Sequence, residues 1–483
     1  MNYGIIAKAI GSLLIVEAVL MLPPFFIAGY YDGQHEVKAF ALSIILTAVA
    51  GFLITRVPKR SSNIRIREGI AIVSLGWILV SFFGSLPFIF SGSILSFADA
   101  FFETVSGFTT TGATVVADIE SLPYGILFWR SFTIWIGGMG ILVLTLAVLP
   151  AMGVGDYQIF KAETPGPIAG KIVPRIKDTA KILYIIYLGI TVIEIILLVI
   201  GGMNLFDSTL HAFSTVGTGG FSTKNTSISF YNNTYIYMVI SIFMLISGVN
   251  FSLYYATLKG RWREALKNEE LWFYLGVVTV CTVLIAWSIN GSIYKNIGES
   301  IKHSLFQVSS IITTTGYTTA DYDTWTPFSK AILFMLLFFG PCAGSTGGAI
   351  KSIRVLALIK LIKREVNKVL HPRAVIPVKI NKSALSQETL SGISSFFILY
   401  IFIFILGTLA LTIEGKSLVT AASAAAATIG NIGPGFELVG PSRNFADFSD
   451  FGKYLMCGLM LMGRLELFRV IVMFSPRFWR GEL

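Results

Sequence analysis

Four glycines recur at intervals of about one hundred residues, and each ends a short apolar stretch that is rich in hydroxyl side chains. They are Gly112, Gly220, Gly316 and Gly433. Glycine takes positive φ angles without a steric cost, so it lets successive backbone carbonyls point inward. A ring of such carbonyls can replace the hydration shell of a monovalent cation. The spacing therefore predicts that four loops of one chain meet at one axis and form an ion-selectivity filter.

The residues beside the glycines complete the predicted cation site. Threonines add side-chain oxygens, and their β-branched side chains stiffen an extended strand. The predicted site consists of Thr110, Thr111, Gly112, Gly219, Gly220, Thr314, Thr315, Gly316, Asn431, Ile432 and Gly433. The fourth loop departs most from the others, because Asn431 and Ile432 replace the threonines. The alternative for any single glycine is an ordinary helix C-cap, but four glycines in register favour the filter.

The composition is that of a membrane protein. Of the 483 residues, 54% are hydrophobic and 13% are charged, and the mean hydropathy is +0.73. Apolar stretches of about 20 residues, the length that crosses a bilayer core, recur along the chain. The sequence therefore predicts an all-α polytopic membrane protein without a separate soluble domain.

The net charge of +10 follows the predicted topology. Lysine and arginine concentrate in alternate loops, at residues 55–68, 151–181, 259–268 and 351–382, and in the tail after Ser475. The positive-inside rule places these loops and both termini in the cytoplasm. We therefore expect no nucleic-acid partner, and we expect membrane lipid around the helices.

A unit of helix, short apolar segment and returning helix is repeated four times after two N-terminal helices at about residues 5–30 and 38–56. The predicted boundaries are 1–66 for the helix pair, then 67–177, 178–267, 268–385 and 386–483 for the repeats. The short segments run from Phe97 to Phe108, Leu205 to Thr215, Ile297 to Ile312 and Ser417 to Thr428. Three of these segments have eleven or twelve residues, which span only about 17 Å as a helix, and the segment of the third repeat has sixteen, which span about 24 Å. None of them crosses the bilayer core of about 30 Å, so these segments enter the membrane and turn back. This arrangement predicts ten transmembrane helices and four half-helices.

A glycine-rich run interrupts the second helix of the third repeat, on the cytoplasmic side of the predicted filter. This segment, residues 340–349, contains Gly340, Pro341, Gly344, Ser345, Thr346, Gly347 and Gly348. Glycine and proline at this density do not sustain a helix. The alternative is a passive kink. A phosphate-binding loop is excluded, because Ile350 separates the glycines from Lys351.

Arg464 lies near the middle of the last apolar helix. A charge at that depth costs at least about 2.5 to 3.5 kcal/mol, so it should face the bundle interior or water. One possibility is a structural pair with Glu466 or with carbonyls of the glycine-rich run.

The four glycine loops, the run from Gly340 to Gly348 and the segment Gly463-Arg464-Leu465-Glu466 carry a family resemblance over essentially the whole chain. The sequence resembles the Trk/Ktr/HKT superfamily of potassium transporters, and in particular its bacterial TrkH/TrkG branch, whose two extra N-terminal helices it shares. The resemblance implies K⁺ bound at the filter carbonyls without any covalent cofactor. It also implies that loop 340–349 and Arg464 form an intramembrane gate.

The resemblance further implies partners and a location. It implies a homodimer in the bacterial inner membrane and a cytoplasmic ring of TrkA-like nucleotide-binding regulatory subunits. The basic segments 151–181 and 351–382 are candidate docking surfaces for that ring. Whether transport is coupled to H⁺ or Na⁺ stays open.

The second loop has two possible registers. Aligning Phe221-Ser222-Thr223 with Tyr317-Thr318-Thr319 makes Gly220 the equivalent of Gly316. In a shifted frame, residues 215–219 instead match the TVGxG signature of potassium channels. The other three loops lack a second glycine at that spacing, which favours Gly220.

Two alternative functions remain from the sequence. A sodium-selective or poorly selective transporter of the same fold is the first, since residue chemistry alone indicates only a monovalent cation. The second is an intramembrane enzyme or receptor. The scattered histidines and isolated acids form no catalytic set, so we predict that the chain is not an enzyme.

Overall fold

A computed structural model describes residues 1–58, 65–140 and 176–480, without the side chains of residues 176–179. The described residues are mostly helical. A single short hairpin, β1 (Lys379–Ile380) and β2 (Ser383–Ala384), pairs antiparallel within them. The fold thus matches the predicted all-α class.

The N-terminal helices pack as a tight pair. Helix α1 (Tyr3–Leu20) continues into α2 (Leu22–Tyr31), and α3 (Gln34–Thr55) returns beside them. Gly11 and Gly51 face each other at the crossing, where a methyl group on Gly11 would lie 2.6 Å from the carbonyl oxygen of Gly51. The pair then packs through α1 against the first repeat.

Each repeat begins with an apolar helix. In the first repeat this helix is α4 (Ile66–Gly84), extended by α5 (Leu86–Phe90). Its counterparts in the later repeats are α8 (Ile176–Ile200), α13 (Glu269–Ile289) and α17 (Gln387–Thr412). Among the described residues, six helices are long and apolar enough to cross a membrane, or seven if one bent pair is counted as a span.

Four half-helices follow these long helices. They are α6 (Phe97–Phe108), α9 (Leu205–Val216), α14 (Ile297–Ile312) and α18 (Leu418–Ile429). An Asn or Ser side chain caps each N-terminus by accepting a backbone N–H from the first turn, namely Ser96, Asn204, Asn296 and Ser417. The predicted half-helix bounds are therefore confirmed to within one residue.

The second helices of the repeats all end or break near the half-helix ends, whereas the sequence predicted a break only in the third repeat. They are α7 (Tyr124–Gly138), α10 (Thr234–Ser247), α15 (Pro327–Leu336) and α19 (Asp450–Leu465). Helix α10 bends by 92° into α11 (Phe251–Leu258), which leads to α12 (Trp262–Leu266). Helix α15 resumes only at α16 (Ser352–Leu370), and α19 gives way to α20 (Leu467–Val472) and α21 (Pro476–Arg480).

Close backbone approach accounts for the ends of α7 and α19. A methyl group on Gly137 would lie 1.9 Å from the carbonyl oxygen of Phe108, and one on Gly463 would lie 2.0 Å from that of Ile429. In the first and fourth repeats, the second helix thus touches the half-helix end through a glycine, which also weakens a helix. The expectation of an unbroken returning helix was wrong in the first, second and fourth repeats, whereas the predicted interruption in the third repeat is confirmed. The predicted continuation of the first repeat to residue 150 lies outside the described residues.

Candidate ion-binding site

The four predicted glycines share one backbone conformation. Their φ angles are +77° at Gly112, +63° at Gly220, +87° at Gly316 and +98° at Gly433. The residue two positions earlier is also left-handed in every loop, at Thr110, Thr218, Thr314 and Asn431, with φ between +53° and +60°. This fourfold pattern supports Gly220 as the equivalent of Gly316. Gly217, by contrast, is the C-cap of its half-helix with φ −71°.

The same geometry separates the glycines from the helix caps. In each loop, the residue before the glycine donates its backbone N–H to a half-helix carbonyl five residues back. These bonds are Thr111 to Ser106 at 2.8 Å, Gly219 to Ser214 at 2.9 Å, Thr315 to Ser310 at 2.8 Å and Ile432 to Ala427 at 2.9 Å. They form a Schellman-type cap whose left-handed residue is Thr or Asn. The C-cap alternative for the four glycines is therefore wrong, since each glycine comes two residues after the left-handed cap residue.

The four glycines form a closed ring in chain order, which we call the glycine ring. A methyl group on each would collide with the carbonyl oxygen of the residue that precedes the glycine of the next loop. The distance from the added methyl carbon to that carbonyl oxygen would be 1.9 Å between Gly112 and Gly219 and 2.1 Å between Gly220 and Thr315. It would be 2.1 Å between Gly316 and Ile432, and 2.7 Å between Gly433 and Thr111 of the first loop. The predicted site residues thus come together, and the fourth contact is the loosest.

Hydrogen bonds join neighbouring repeats just outside the ring. They run from Arg130 Nη1 to the Ser222 carbonyl at 3.0 Å, Tyr317 Oη to Phe221 at 3.2 Å, Tyr322 Oη to Gly435 at 2.9 Å and the Phe445 amide to Thr114 at 2.8 Å. Each of the four boundaries between repeats therefore has its own hydrogen bond. These hydrogen bonds hold the strands that leave the ring.

An open cavity lies on the side where the strands leave the ring, and all four ring glycines line it. Lys224 and Arg443 also line this cavity. In the outer loops, Asn225 donates to the carboxylate of Asp118 at 2.8 Å, and this hydrogen bond lowers the pKa of Asp118 below its usual value. The backbone of Asn225 donates to Glu120. These acids thus organise the outer loops through Asn225.

The glycine-rich loop 340–349 lies against the inner end of the glycine ring. The Gly348 amide donates to the Thr314 hydroxyl at 2.8 Å, and the Ala349 amide donates to the carbonyl of Gly430 at 2.9 Å. A methyl group on Gly347 would lie 2.8 Å from the carbonyl oxygen of Thr313. Small residues are therefore required where the loop meets the half-helix ends of the third and fourth repeats.

Glu270 holds both ends of this loop, a role that the sequence did not reveal. Its buried carboxylate accepts the Ala343 amide at 2.6 Å and the Ile353 amide at 3.2 Å. The Gly340 amide also donates to the Ile350 carbonyl at 2.8 Å. An acid in the first turn of a membrane helix resembles an ordinary helix-dipole contact, so the sequence carried no specific signal for this residue.

Arg464 connects the loop to the first repeat. Its Nη1 donates to the Thr346 carbonyl at 2.7 Å and approaches the Thr110 hydroxyl at 3.3 Å. Its Nη2 donates to the carbonyls of Gly137 at 2.5 Å and Gly138 at 3.0 Å. The predicted contact with a carbonyl of the glycine-rich run is therefore present, and the side chain also reaches the glycine ring.

Further charged residues line a small cavity against the loop. Arg354 Nη2 lies 2.5 Å from Glu466 Oε2, and both line the cavity together with Lys351 and Arg464. Lys351 is 2% exposed and donates to the Gly347 carbonyl. Sequence reasoning used Lys351 only to exclude a phosphate loop and thus missed its burial beside Arg464.

The described part of the chain shows no group of three or more His, Cys, Asp or Glu residues that could hold a metal ion. The candidate ligands for a cation are instead the ring carbonyls and hydroxyls. Oxygen donors of this kind suit a monovalent cation that sheds its water.

These features define a polytopic membrane protein in which four helix, loop and helix repeats surround one axis. The sequence model of the TrkH family, described as cation transport protein, matches residues 32–295 and 292–480. The chain belongs to this family. This agrees with the prediction that it is not an enzyme.

Close relatives extend over the full length. The chain is 39% identical to the Trk system potassium uptake protein TrkH of Salmonella typhimurium, over 99% of this chain and 100% of the relative. It is 36% identical to the Trk system potassium uptake protein TrkG of Escherichia coli, over 99% of both chains. The crystal structure of the potassium transporter TrkH from Vibrio parahaemolyticus matches with a TM-score of 0.90 and 35% identity, over 99% of this chain and 100% of that one.

Proposed function

We propose that this chain takes up potassium ions across the cell membrane through the glycine ring. The closed ring of four glycines is the observation that carries the proposal, because one chain places equivalent backbone oxygens around one axis. The choice of potassium follows from the relatives at 36% to 39% identity, which are named potassium uptake proteins. Glycine at all four ring positions agrees with the potassium preference that the family resemblance implies.

The ion ligands in this proposal are the oxygens of the glycine ring and of the residues before it. They belong to Thr110, Thr111, Gly112, Gly219, Gly220, Thr314, Thr315, Gly316, Asn431, Ile432 and Gly433. In each loop the ring glycine and the residue two positions before it have positive φ, and the residue between them does not. This alternation lets successive carbonyls face the axis. K⁺ is the transported ion and is held there without a covalent cofactor.

Loop 340–349 acts as the gate in this proposal, and Arg464 holds it closed. The supporting observation is that the loop touches the inner end of the ring through Gly348 and Ala349. The arginine also places a positive charge beside Thr110, which opposes the passage of a cation. Displacement of the loop would open the path to the cavity below it.

Regulation and location complete the proposal. Both termini lie in the cytoplasm of a bacterium, and the chain sits in the inner membrane as a homodimer. A ring of TrkA-like nucleotide-binding subunits docks on the basic segments 351–382 and 151–181, of which residues 151–175 lie outside the described structure. Helix α16 directly follows the gate loop, so a partner bound to it could move the loop.

A sodium-selective or poorly selective transporter is the second candidate. The looser fourth contact, 2.7 Å against 1.9 to 2.1 Å for the other three, favours a less selective ring. Asn431, which replaces a threonine, points to the same alternative.

Uptake of Rb⁺ into liposomes that hold the purified chain tests the proposal, with Na⁺ as competitor. We expect Rb⁺ uptake that excess Na⁺ inhibits weakly. Gly316→Ser should abolish this preference, whereas Gly415→Ser is the matched control, because Gly415 has φ +71° and nothing within 4 Å of an added methyl group. Equal inhibition by Na⁺ and Rb⁺ in the wild-type protein would favour the second candidate.

A further inference from the structure

One position of the half-helices faces the strand that leaves the glycine ring. It lies nine residues before each ring glycine, since 112 − 103 = 220 − 211 = 316 − 307 = 433 − 424 = 9. The residues there are Glu103, His211, Gln307 and Ala424. Because the four half-helices end in the same cap, these side chains occupy equivalent places.

Glu103 makes the strongest set of contacts among them. Its carboxylate accepts Arg130 Nε at 2.5 Å, the Thr114 hydroxyl at 3.0 Å and the Val115 amide at 3.0 Å. The side chains of Glu103 and Arg130 are 0% and 2% exposed. The carboxylate therefore fixes the Thr114 side chain and the Val115 backbone, two and three residues beyond Gly112.

Arg130 also contacts the second repeat. Its Nη1 donates to the Ser222 carbonyl at 3.0 Å, and its guanidinium lies 3.7 Å from the centre of the Phe221 ring. Ser222 is two residues beyond Gly220 and thus equivalent to Thr114. One ion pair consequently joins the strands that leave the ring in the first and second loops.

The other repeats have weaker support at the equivalent position. His211 Nε2 lies 2.9 Å from the Ser222 hydroxyl. The amide of Gln307 is fully buried and has no hydrogen-bond partner in the part of the chain that the structure describes. Ala424 carries no polar group. At this one position, polar contact with the strand that leaves the ring thus falls from the first repeat to the fourth, where the neighbouring Ser423 hydroxyl accepts the Phe436 amide instead.

We propose that the Glu103–Arg130 ion pair positions the first two strands of the glycine ring and thereby sets its selectivity between potassium and sodium. A buried ion pair gives little net stability, because desolvation offsets the attraction between the charges. A site that discriminates ions by the positions of its oxygens gains instead from supporting groups that are locked in place. The inference rests on the proposed function. Glu103 and Arg130 are positioning residues, because neither belongs to the proposed ion ligands.

Two conservative substitutions test the pair. Glu103→Gln places an amide N–H₂ where either the Val115 amide or Arg130 needs an acceptor. Arg130→Lys keeps the charge but loses the planar fork that reaches both Glu103 and Ser222. The matched control is Asp99→Asn, which removes an ion pair of 2.5 Å between the same half-helix and Lys453 without contact to the strand beyond Gly112.

The measurement is the ratio of Rb⁺ to Na⁺ uptake by the full chain in liposomes, with thermal unfolding of each variant. We expect Glu103→Gln and Arg130→Lys to lower the ratio by about tenfold, the usual size for one lost charge-assisted hydrogen bond, and Asp99→Asn to leave it unchanged. An unchanged ratio in the folded Arg130→Lys protein overturns the inference, and so does an equal fall in the control. If Glu103→Gln does not fold, Arg130→Lys decides. Absence of Rb⁺ uptake by the wild-type protein contradicts the proposed function itself and is thereby distinguished from these outcomes.

Discussion

The guanidinium of Arg464 donates a hydrogen bond of 2.7 Å to the backbone carbonyl of Thr346. This bond joins the last repeat to the glycine-rich loop of the third. The same side chain donates to the end of α7 in the first repeat and approaches Thr110. The Arg464 side chain thus contacts the loop, one strand beside the ring and the end of a broken helix at the same time.

Replacement of this arginine should release the loop. Arg464→Met removes the donors to the carbonyls of Thr346 and Gly137, and it also removes a positive charge from the proposed ion path. We expect Rb⁺ uptake in the absence of any partner protein to rise severalfold. Arg477→Gln, which changes an exposed cation of the last helix, is the control. Uptake by Arg464→Met at the wild-type level would contradict the role of this arginine in closure.

Glu270→Ala should loosen the loop from its other side. The substitution leaves the amides of Ala343 and Ile353 without their acceptor. A buried N–H that loses its partner costs about 1–3 kcal/mol, so we expect a lower unfolding temperature together with higher basal Rb⁺ uptake.

The neighbouring residue provides a matched control for this prediction. Glu269 accepts the Asn381 amide at the hairpin of β1 and β2 and pairs with Lys360, at a site that does not touch the loop. Glu269→Ala should leave basal uptake unchanged. If both variants raise uptake equally, the cause is a general disturbance of the start of α13. The hydrogen bonds of Glu270 to the loop would then not be what keeps the loop closed.

Alanine substitutions of the ring glycines should follow the tightness of the contacts. Every substitution strains a positive φ, but the methyl group would meet a carbonyl at 1.9 Å for Gly112 and at 2.7 Å for Gly433. We expect Gly112→Ala to abolish the preference for Rb⁺ over Na⁺, and Gly433→Ala to retain part of it. The ratio of the two uptake rates measures this. The reverse order would show that contact distance does not govern the tolerance of the ring.

The half-helices and the ring could be predicted because their signals are local. A capping Asn or Ser before about twelve apolar residues, and a glycine where φ is positive, are visible in the sequence. The glycine-rich break in the third repeat is visible in the sequence as well. The end of α7 was not predictable in this way, because it arises where Gly137 meets the carbonyl of Phe108 in a different helix. The role of Glu270 likewise depends on amides 73 and 83 residues away in the chain. Long-range packing decides what a buried charge does, and no local pattern encodes it.

The Thr314 hydroxyl offers the most direct test of contact between the loop and the ring. It accepts the Gly348 amide at 2.8 Å, whereas the hydroxyl of the equivalent Thr218 donates to its own neighbour, Gly217. Thr314→Val removes the acceptor but keeps the β-branched shape, and Thr218→Val is the matched control at the same level of the ring. We expect Thr314→Val to raise basal Rb⁺ uptake, because the buried Gly348 amide loses a hydrogen bond that is present only while the loop is seated. Thr218→Val should not change basal uptake, since its hydroxyl does not bind the loop. Equal uptake by the two variants would mean that this hydrogen bond does not hold the loop, and that closure depends on its other contacts, such as those of Arg464, Glu270 and Ala349.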